Sequence, residues 1–474
     1  MQKLLQRFAP SLGEAFSAGT DRLERFAFGA MLLLIVVAPL PQGGTLPSGR
    51  LLIELFAFLI ATMTFLSRAR TRDPAVPVVP AAAALAIAVL GAVQLLPLPG
   101  PLLAQISPVS LKIYHETAQI LSLFGRKAEL APRISIAPSE TAGAIRLVLA
   151  YLALFLSAQR LLGNRARRRT FAFVLLGAAT IHVAVAGALQ IGETRLHGTF
   201  ANPDHFGGDL EIALATAFGV LWAEVLLNAE RARGATDAGD RVESRLLPLA
   251  GRIGVWAVIA VGIGLTQSRG AVAASLVTTL LLLMIAMLHP RTHRRRAWRG
   301  ALAIVAGLLF VGLVAGRVAL LRFVASDARD LRGGTRLELW KTSLDAWTQF
   351  PWVGSGLGSF PDAFRRVQPR ELNFLVEQAH SDSLQLLVTG GAVGAFFGVL
   401  LYASLFIVLF RAWHSQRHRE ESAMVLAGIG ALFSLMLHGI VEYNMSIPAI
   451  PAVLACVLGM SLAAGATSAG ARAA

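Results

Sequence analysis

Long apolar segments recur along this chain too often for a water-soluble fold to bury them. A bilayer core of about 30 Å takes roughly 17 to 25 apolar residues per helix. On that ruler the sequence predicts twelve spans, at 26–40, 51–66, 78–96, 141–162, 171–190, 206–228, 252–267, 270–288, 300–320, 384–410, 422–441 and 446–464. Composition agrees: 55% of the 474 residues are hydrophobic and 15% are charged, where a soluble chain carries about 25% charge. Mean hydropathy is +0.62. The expected fold class is therefore an all-α polytopic membrane protein, a single transmembrane domain over 1–474 with about twelve helices. Residues 253–288 are interrupted only by Gln267-Ser268-Arg269-Gly270, which predicts a tight helical hairpin with Arg269 at its tip.

The formal charge of +15 raises the question of an acidic partner, and the placement of the basic residues answers it. With a cytoplasmic N-terminus, alternate loops hold Arg68, Arg70 and Arg72; Arg165, Arg167, Arg168 and Arg169; Arg231, Arg233, Arg241 and Arg245; Arg291, Arg294, Arg295, Arg296 and Arg299; and Arg411, Arg417 and Arg419. Short basic loops stay on the cytoplasmic side, so both termini are expected inside. The runs read as solvated anchors near anionic lipid. They are split among short loops with no aromatic interleaving, which argues against nucleic-acid binding. The amphipathic stretch up to Glu24 is followed by no small-residue cleavage site, so a cleaved signal peptide is not expected. The lone cysteine, Cys456, lies in an apolar run and reads as a small buried hydrophobe.

Two loops on the opposite, outward side are long. Residues 97–140 open with Pro97, Pro99 and Pro101 and show a helical pattern from Ser110 to Phe124. Residues 321–383 carry eight Lys/Arg and eight Asp/Glu, so long-range charge does not define this loop. It shows a helical pattern from Arg336 to Phe350, a Gly-rich turn at Gly354-Ser355-Gly356-Leu357-Gly358, and a second helical pattern reaching His380, together predicting a small helical cap. The glycines lack the strand and βαβ context of a nucleotide fingerprint and read as a tight turn between two loop helices.

Ionisable residues at membrane depth are costly and mark candidate sites. The outward face collects Arg195, His197, Asp204, His205 and Asp209, then Arg269, Arg317, Arg336 and His380, and finally His438 and Glu442. Arg269 has two readings: a snorkelling arginine at the headgroup level, or an anion site, since a guanidinium stays charged and binds phosphate through two donors. Arg195 divides the same way, and its neighbours from His197 to His205 read as an ordered re-entrant loop. Two arginines at one depth suggest a diphosphate. His380 reads either as a hydrogen-bonded structural residue or as a general base near pH 7, with Asp382 near enough in sequence to orient it. Arg336 binds substrate or holds the loop together through Glu338, Asp330 or another acid. No spacing resembles a zinc site.

These residues coincide with a known pattern. Gly334-Thr335-Arg336-x-x-x-Trp340, Pro351-Trp352-x-Gly354-x-Gly356-x-Gly358-x-Phe360, Leu265-Thr266-Gln267-Ser268-Arg269-Gly270-Ala271, and Ala379-His380-Ser381 followed after nine residues by Gly391-x-x-Gly394 resemble the bacterial O-antigen ligase/polymerase family. Ala395 departs from the Thr often found after that last glycine. The resemblance implies a GT-C-like inner-membrane glycosyltransferase with a periplasmic catalytic face. It implies a glycan donor on undecaprenyl diphosphate and neither cofactor nor metal. The acceptor is lipid A–core in ligases and a second lipid-linked glycan in polymerases. By the same resemblance His380 deprotonates or positions the acceptor hydroxyl, Arg195 and Arg269 meet the leaving diphosphate, and Arg336 contributes to donor binding. The His-Ser-x9-Gly-x-x-Gly spacing favours ligase over polymerase. A protein O-oligosaccharyltransferase is a third member of the enzyme class, and a lipid-linked glycan transporter is the rival of another class.

Overall fold

The computed structural model describes residues 22–67, 76–126, 130–192, 194–231, 247–288, 334–370, 372, 374–416 and 418–466. Among them there are helices and turns but no strand. The bundle helices are α1 (Arg22–Val37), α2 (Pro47–Leu66), α3 (Val78–Leu95), α6 (Pro138–Leu161), α7 (Arg165–Leu189), α8 (Pro203–Arg231), α9 (Leu247–Thr266), α10 (Arg269–Leu288), α13 (Asp382–Ser415), α14 (Arg419–His438) and α15 (Ala449–Ala466). Shorter helices α4 (Gly100–Ile106), α5 (Pro108–Leu123), α11 (Gly334–Gln349) and α12 (Phe360–Arg365) lie in the two long loops. Ten of the described helices are long and apolar enough to cross a membrane. α1, at 16 residues, is shorter but packs in the same bundle against α2 and α7. The chain is a multi-pass, all-helical membrane protein. The span expected at 300–320, Arg317, the first part of the 321–383 loop and the N-terminal amphipathic stretch fall outside the described residues.

The helices sort into a centre and a periphery by what surrounds them. In α15 the apolar window is 94% buried and in α8 and α14 83%, against 28% in α13. The central helices are packed closely through small residues. A Cβ on Gly219 of α8 would stand 2.7 Å from the Ala423 carbonyl of α14, and one on Gly459 of α15 would stand 2.6 Å from the Phe155 carbonyl of α6. Such close backbone approach is how helices associate where lipid removes the hydrophobic drive between them. Outer helices turn Leu55, Ile181, Leu280 and Val399 outward, each at least 49% exposed, as a lipid-facing surface requires. The hairpin of α9 and α10 forms as expected, with Gln267 at φ 52 in its tip. Its two legs lean chiefly on α8, α7 and α14 rather than on each other.

The end of the bundle that carries the short basic loops corrects one expectation. Arg167 and Arg168, read as solvated anchors, are each only 2% exposed. Arg167 Nη1 lies 2.6 Å from Glu24 Oε1, and Arg168 Nη2 lies 2.7 Å from Glu421 Oε1. Arg165 and Arg169 pair with Glu420, the latter through Nε at 2.7 Å. The N-terminus of α7 faces the acidic first turn of α14, so these arginines tie helices together rather than resting in headgroups. Buried ion pairs of this kind are costly to break from one side.

At the opposite end the loops converge. α11, α12 and the chain from Leu372 to Ala379 enclose a second apolar core of Leu339, Phe350, Phe360, Phe364, Val376 and Val388, against which Val109 and Ile113 of α5 pack. The helical patterns in both loops therefore form as α5 and α11. The pattern expected to reach His380 does not: only Phe360–Arg365 is helical. Pro369 has no N–H to continue a helix, and the Gln368 side chain instead donates to the Leu372 and Phe374 carbonyls.

Candidate functional site

Six connections meet at this loop-rich end, and their hydrogen bonds position the candidate residues. The 194–202 loop is fastened from two sides. Leu196 N donates to the Leu265 carbonyl at 3.0 Å and the Gln267 side chain to the Thr194 carbonyl, tying the loop to the hairpin tip. Thr199 Oγ1 donates to the Pro39 carbonyl at 2.7 Å, while Thr199 N donates to His182 Nε2 at 3.1 Å. The loop is ordered, as the sequence reading expected, and His182 of α7 is an anchor that no motif indicated.

Arg195 is held in this frame. Its Nε donates to the Thr266 carbonyl at 2.9 Å and its Nη2 to Asp204 Oδ1 at 2.6 Å, and Asp204 also takes a hydrogen bond from the Ser268 side chain. Arg269 opens α10 three residues beyond Thr266, half-buried. The next residue, Gly270, lies against the His438 ring: a Cβ there would meet its Cδ2 at 2.6 Å. Arg195 is thus bonded to the hairpin tip at Thr266, three residues before Arg269.

The second cluster is centred on Glu442, in the turn between α14 and α15. Its side chain is 2% exposed, and its two oxygens are divided between two partners. Arg336 Nη2 donates to Oε1, and His380 Nδ1 lies 3.2 Å from Oε2. Among the described residues the acid that holds Arg336 is Glu442, across the bundle, and not Glu338; Asp330 lies outside the described residues. Asp382 does not orient His380 either. Its Oδ1 accepts from Met445 N at 3.0 Å, and its own N–H donates to the Gly439 and Glu442 carbonyls, so it shapes the turn that presents Glu442. Residues two apart at a helix start face different ways, which is why His380 looks to the 442 turn and Asp382 packs beneath it.

His380 has φ 47, the left-handed region, immediately before the N-cap Ser381 of α13. Trp340 Nε1 donates to its carbonyl at 3.2 Å, fixing the strained peptide to α11. Such outliers persist where surroundings over-determine them, commonly at functional sites. Tyr443 joins the two clusters. Its ring lies edge-on to His380 at 4.9 Å and to His205 at 4.4 Å, and its hydroxyl shares a hydrogen bond with Asn202. Burial first, and the adjacent Glu442 second, push that hydroxyl up to about 12, so it stays protonated. His205 Nδ1 lies 3.1 Å from Asn444 Oδ1 and His197 Nδ1 2.9 Å from the Phe200 carbonyl, which leaves both in supporting roles.

The Gly-rich turn does more than join two loop helices. Gly354 (φ 73) and Gly391 (φ 63) face each other where α13 is kinked. Ser355 N and Gly356 N donate to the Val388 and Thr389 carbonyls, while Ala392 N and Val393 N donate to those of Pro351 and Trp352. The loop backbone thus replaces the helical bonds that the kink forfeits. The wholly buried Gln94 of α3 clamps the joint, donating to the Val353 carbonyl at 2.6 Å and accepting from Leu357 N at 2.9 Å. The glycines and the His-Ser motif, far apart in meaning when read as sequence, are one mechanical unit.

A protein-family model described as O-antigen ligase matches residues 254–399. The chain carries an O-antigen ligase family domain. No curated protein matches the chain. The matched segment begins within α9 and ends within α13, so the O-antigen ligase domain contains Arg269, Arg336 and His380. Arg195 precedes it and Glu442, with Tyr443, follows it. The sequence reading placed His380, Arg336 and Glu442 on the outward face but did not join the carboxylate to the other two. The one available signal was an acidic residue next to the outward end of an apolar span.

Proposed function

We propose that this protein transfers a glycan from undecaprenyl diphosphate to a hydroxyl acceptor at the periplasmic face of the bacterial inner membrane, with lipid A–core as the acceptor. The observation that carries the reading is the His380–Glu442–Arg336 cluster, at the same bundle end as Arg195 and Arg269. Glu442 at Nδ1 favours the tautomer in which Nε2 is the basic nitrogen, and it stabilises the imidazolium once a proton arrives, as the orienting carboxylate does in a catalytic triad. Nε2 takes the proton of the acceptor hydroxyl as its oxygen attacks the anomeric carbon. The bond from that carbon to the diphosphate oxygen breaks, and the electron pair leaves with the diphosphate. A single displacement of this kind inverts the anomeric centre.

Charge building on the leaving group needs fixed cations that do not reorganise. Arg195, held through Nε and Nη2, keeps Nη1 for the diphosphate, and Arg269 meets it from the hairpin side. Arg336 serves the donor while balancing Glu442. The sidedness rests on the basic loops at the other end, with both termini cytoplasmic. Impermeant thiol labelling of a Thr199→Cys variant tests it, because Cys456 is buried. The chemistry uses side chains alone, so transfer in reconstituted membranes is expected to survive a chelator. Deleting the gene separates the two acceptors. Full-length glycan stranded on the carrier supports the ligase reading; accumulated single repeats assign the chain as a polymerase joining lipid-linked repeats. Uptake or flipping of the donor with no covalent product would replace both with a transporter.

A further inference from the structure

A cavity of about 450 Å³ opens between the outward ends of α2 and α6, away from the His380 cluster. Arg50, Glu54, Glu140 and Arg146 line it, with Pro47 and Leu51 at its apolar side. Two of the four charges are already matched: Arg146 Nε lies 3.0 Å from Glu54 Oε2, a close pair between neighbouring helices. Arg50 is matched only loosely. It stands 3.8 Å from Glu140, whose side chain is more than half exposed, and its own Nε is buried without a hydrogen-bond partner. Both helices also begin here, with Pro47 and Pro138 at their starts, and helix N-termini favour negative charge.

The cavity's geometry identifies where the ligand comes from. It runs from Ser139 to Arg146 along α6, about 10 Å at 1.5 Å per residue, from loop level toward the hydrocarbon. Leu51 at its rim and Leu55 one turn deeper are 55% and 60% exposed, on a flank that a bilayer would cover. A ligand here therefore has an acidic head and an apolar body beside it. The cavity also borders the Gly-rich turn: Gly358 lies against the Glu140 carbonyl, and that turn is hydrogen-bonded to Thr389, seven residues along α13 from Asp382.

We propose that this cavity holds the phosphorylated headgroup of a membrane-embedded glycolipid, the acceptor of the transfer, with Arg50 as its anchoring cation. The proposal rests on the reading above that the acceptor is lipid-borne. Glu140 swings into solvent as the phosphate takes its place, while the Arg146–Glu54 pair keeps the floor neutral and presents polar groups to sugar hydroxyls.

The test is binding, not turnover. Full-length protein in nanodiscs is titrated with a bis-phosphorylated glucosamine disaccharide lipid and with its dephosphorylated form. The phosphorylated lipid is expected to bind, and Arg50→Ala to weaken it by about tenfold or more, the loss of one charge-assisted contact. Arg50→Lys should fall between. Leu51→Trp, which fills the cavity without changing charge, should also block binding, and Leu280→Trp, on the lipid-facing side of α10, should leave it unchanged. Binding by Arg50→Ala within twofold of the parent, equal binding of the dephosphorylated lipid, or complete displacement by millimolar inorganic phosphate would each overturn the proposal, the last by making this a free-anion site. Normal turnover by His380→Ala would instead refute the catalytic reading and leave the binding result standing.

Discussion

Replacing Glu442 by Gln is the sharpest perturbation of the candidate site, because it keeps the side chain's shape and removes only its charge. In the parent, His380 Nδ1 lies 3.2 Å from a carboxylate that is 2% exposed. Two unit charges at about 4 Å interact by about 4 kcal/mol at the effective dielectric of a protein site. That stabilisation appears when the imidazole carries a proton, as it does once the acceptor hydroxyl has given its proton up. At 1.36 kcal/mol per decade, its loss predicts a fall in kcat of about 10³-fold. A glutamine amide can also donate to Nδ1 and hold the ring in the wrong tautomer, which acts in the same direction. The assay is single-turnover transfer from a radiolabelled lipid-linked donor in proteoliposomes, with a thermal melt and gel filtration to show that the variant is folded. A folded Glu442→Gln variant with turnover within threefold of the parent, beside an inactive His380→Ala, would refute the dyad.

Other variants separate the remaining roles. Arg195→Ala should lower kcat by about 10² to 10³-fold, the usual cost of one fixed donor on developing negative charge, and Arg195→Lys should restore only part because it cannot bond Thr266 and Asp204 at once. Equal rates for Lys and Arg, measured as initial velocities at saturating donor, would remove the fork from the argument. Gly391→Ala should destabilise the fold by roughly 1 to 3 kcal/mol for its backbone conformation alone, and by more because a Cβ there would stand 2.4 Å from the Trp352 carbonyl; an unchanged melting temperature would contradict the docking of the loop into the kink. Glu421→Ala, at the other end of the bundle, strands Arg168 and should cost about 3 to 5 kcal/mol of stability while leaving turnover per folded molecule unchanged.

The spans among the described residues were legible because lipid demands a length and a composition that each segment must meet by itself. The α9–α10 hairpin, α5 and α11 were legible for the same local reason. What failed was local as well: the pattern carried toward His380 ignored Pro369 and the competing Gln368 amide. The arginines of α7 were misread because a charge run at a span's end looks the same whether it meets water or the acidic start of another helix. Burial of Arg167 and Arg168 depends on Glu24 and Glu421, 143 and 253 residues distant.

The sequence by itself determined that this chain is a bundle of membrane helices, that its candidate residues gather at the end away from the short basic loops, and that His380 and Arg336 lie in motifs resembling one family. Only the tertiary structure decided that Glu442 stands between them, 62 residues from the histidine and 106 from the arginine. The reason is physical. Apolar periodicity and motif spacing record what one segment needs from its surroundings, whereas an ion pair across a bundle depends on which helices become neighbours, and that is settled by close packing of small residues such as Gly219 and Gly459.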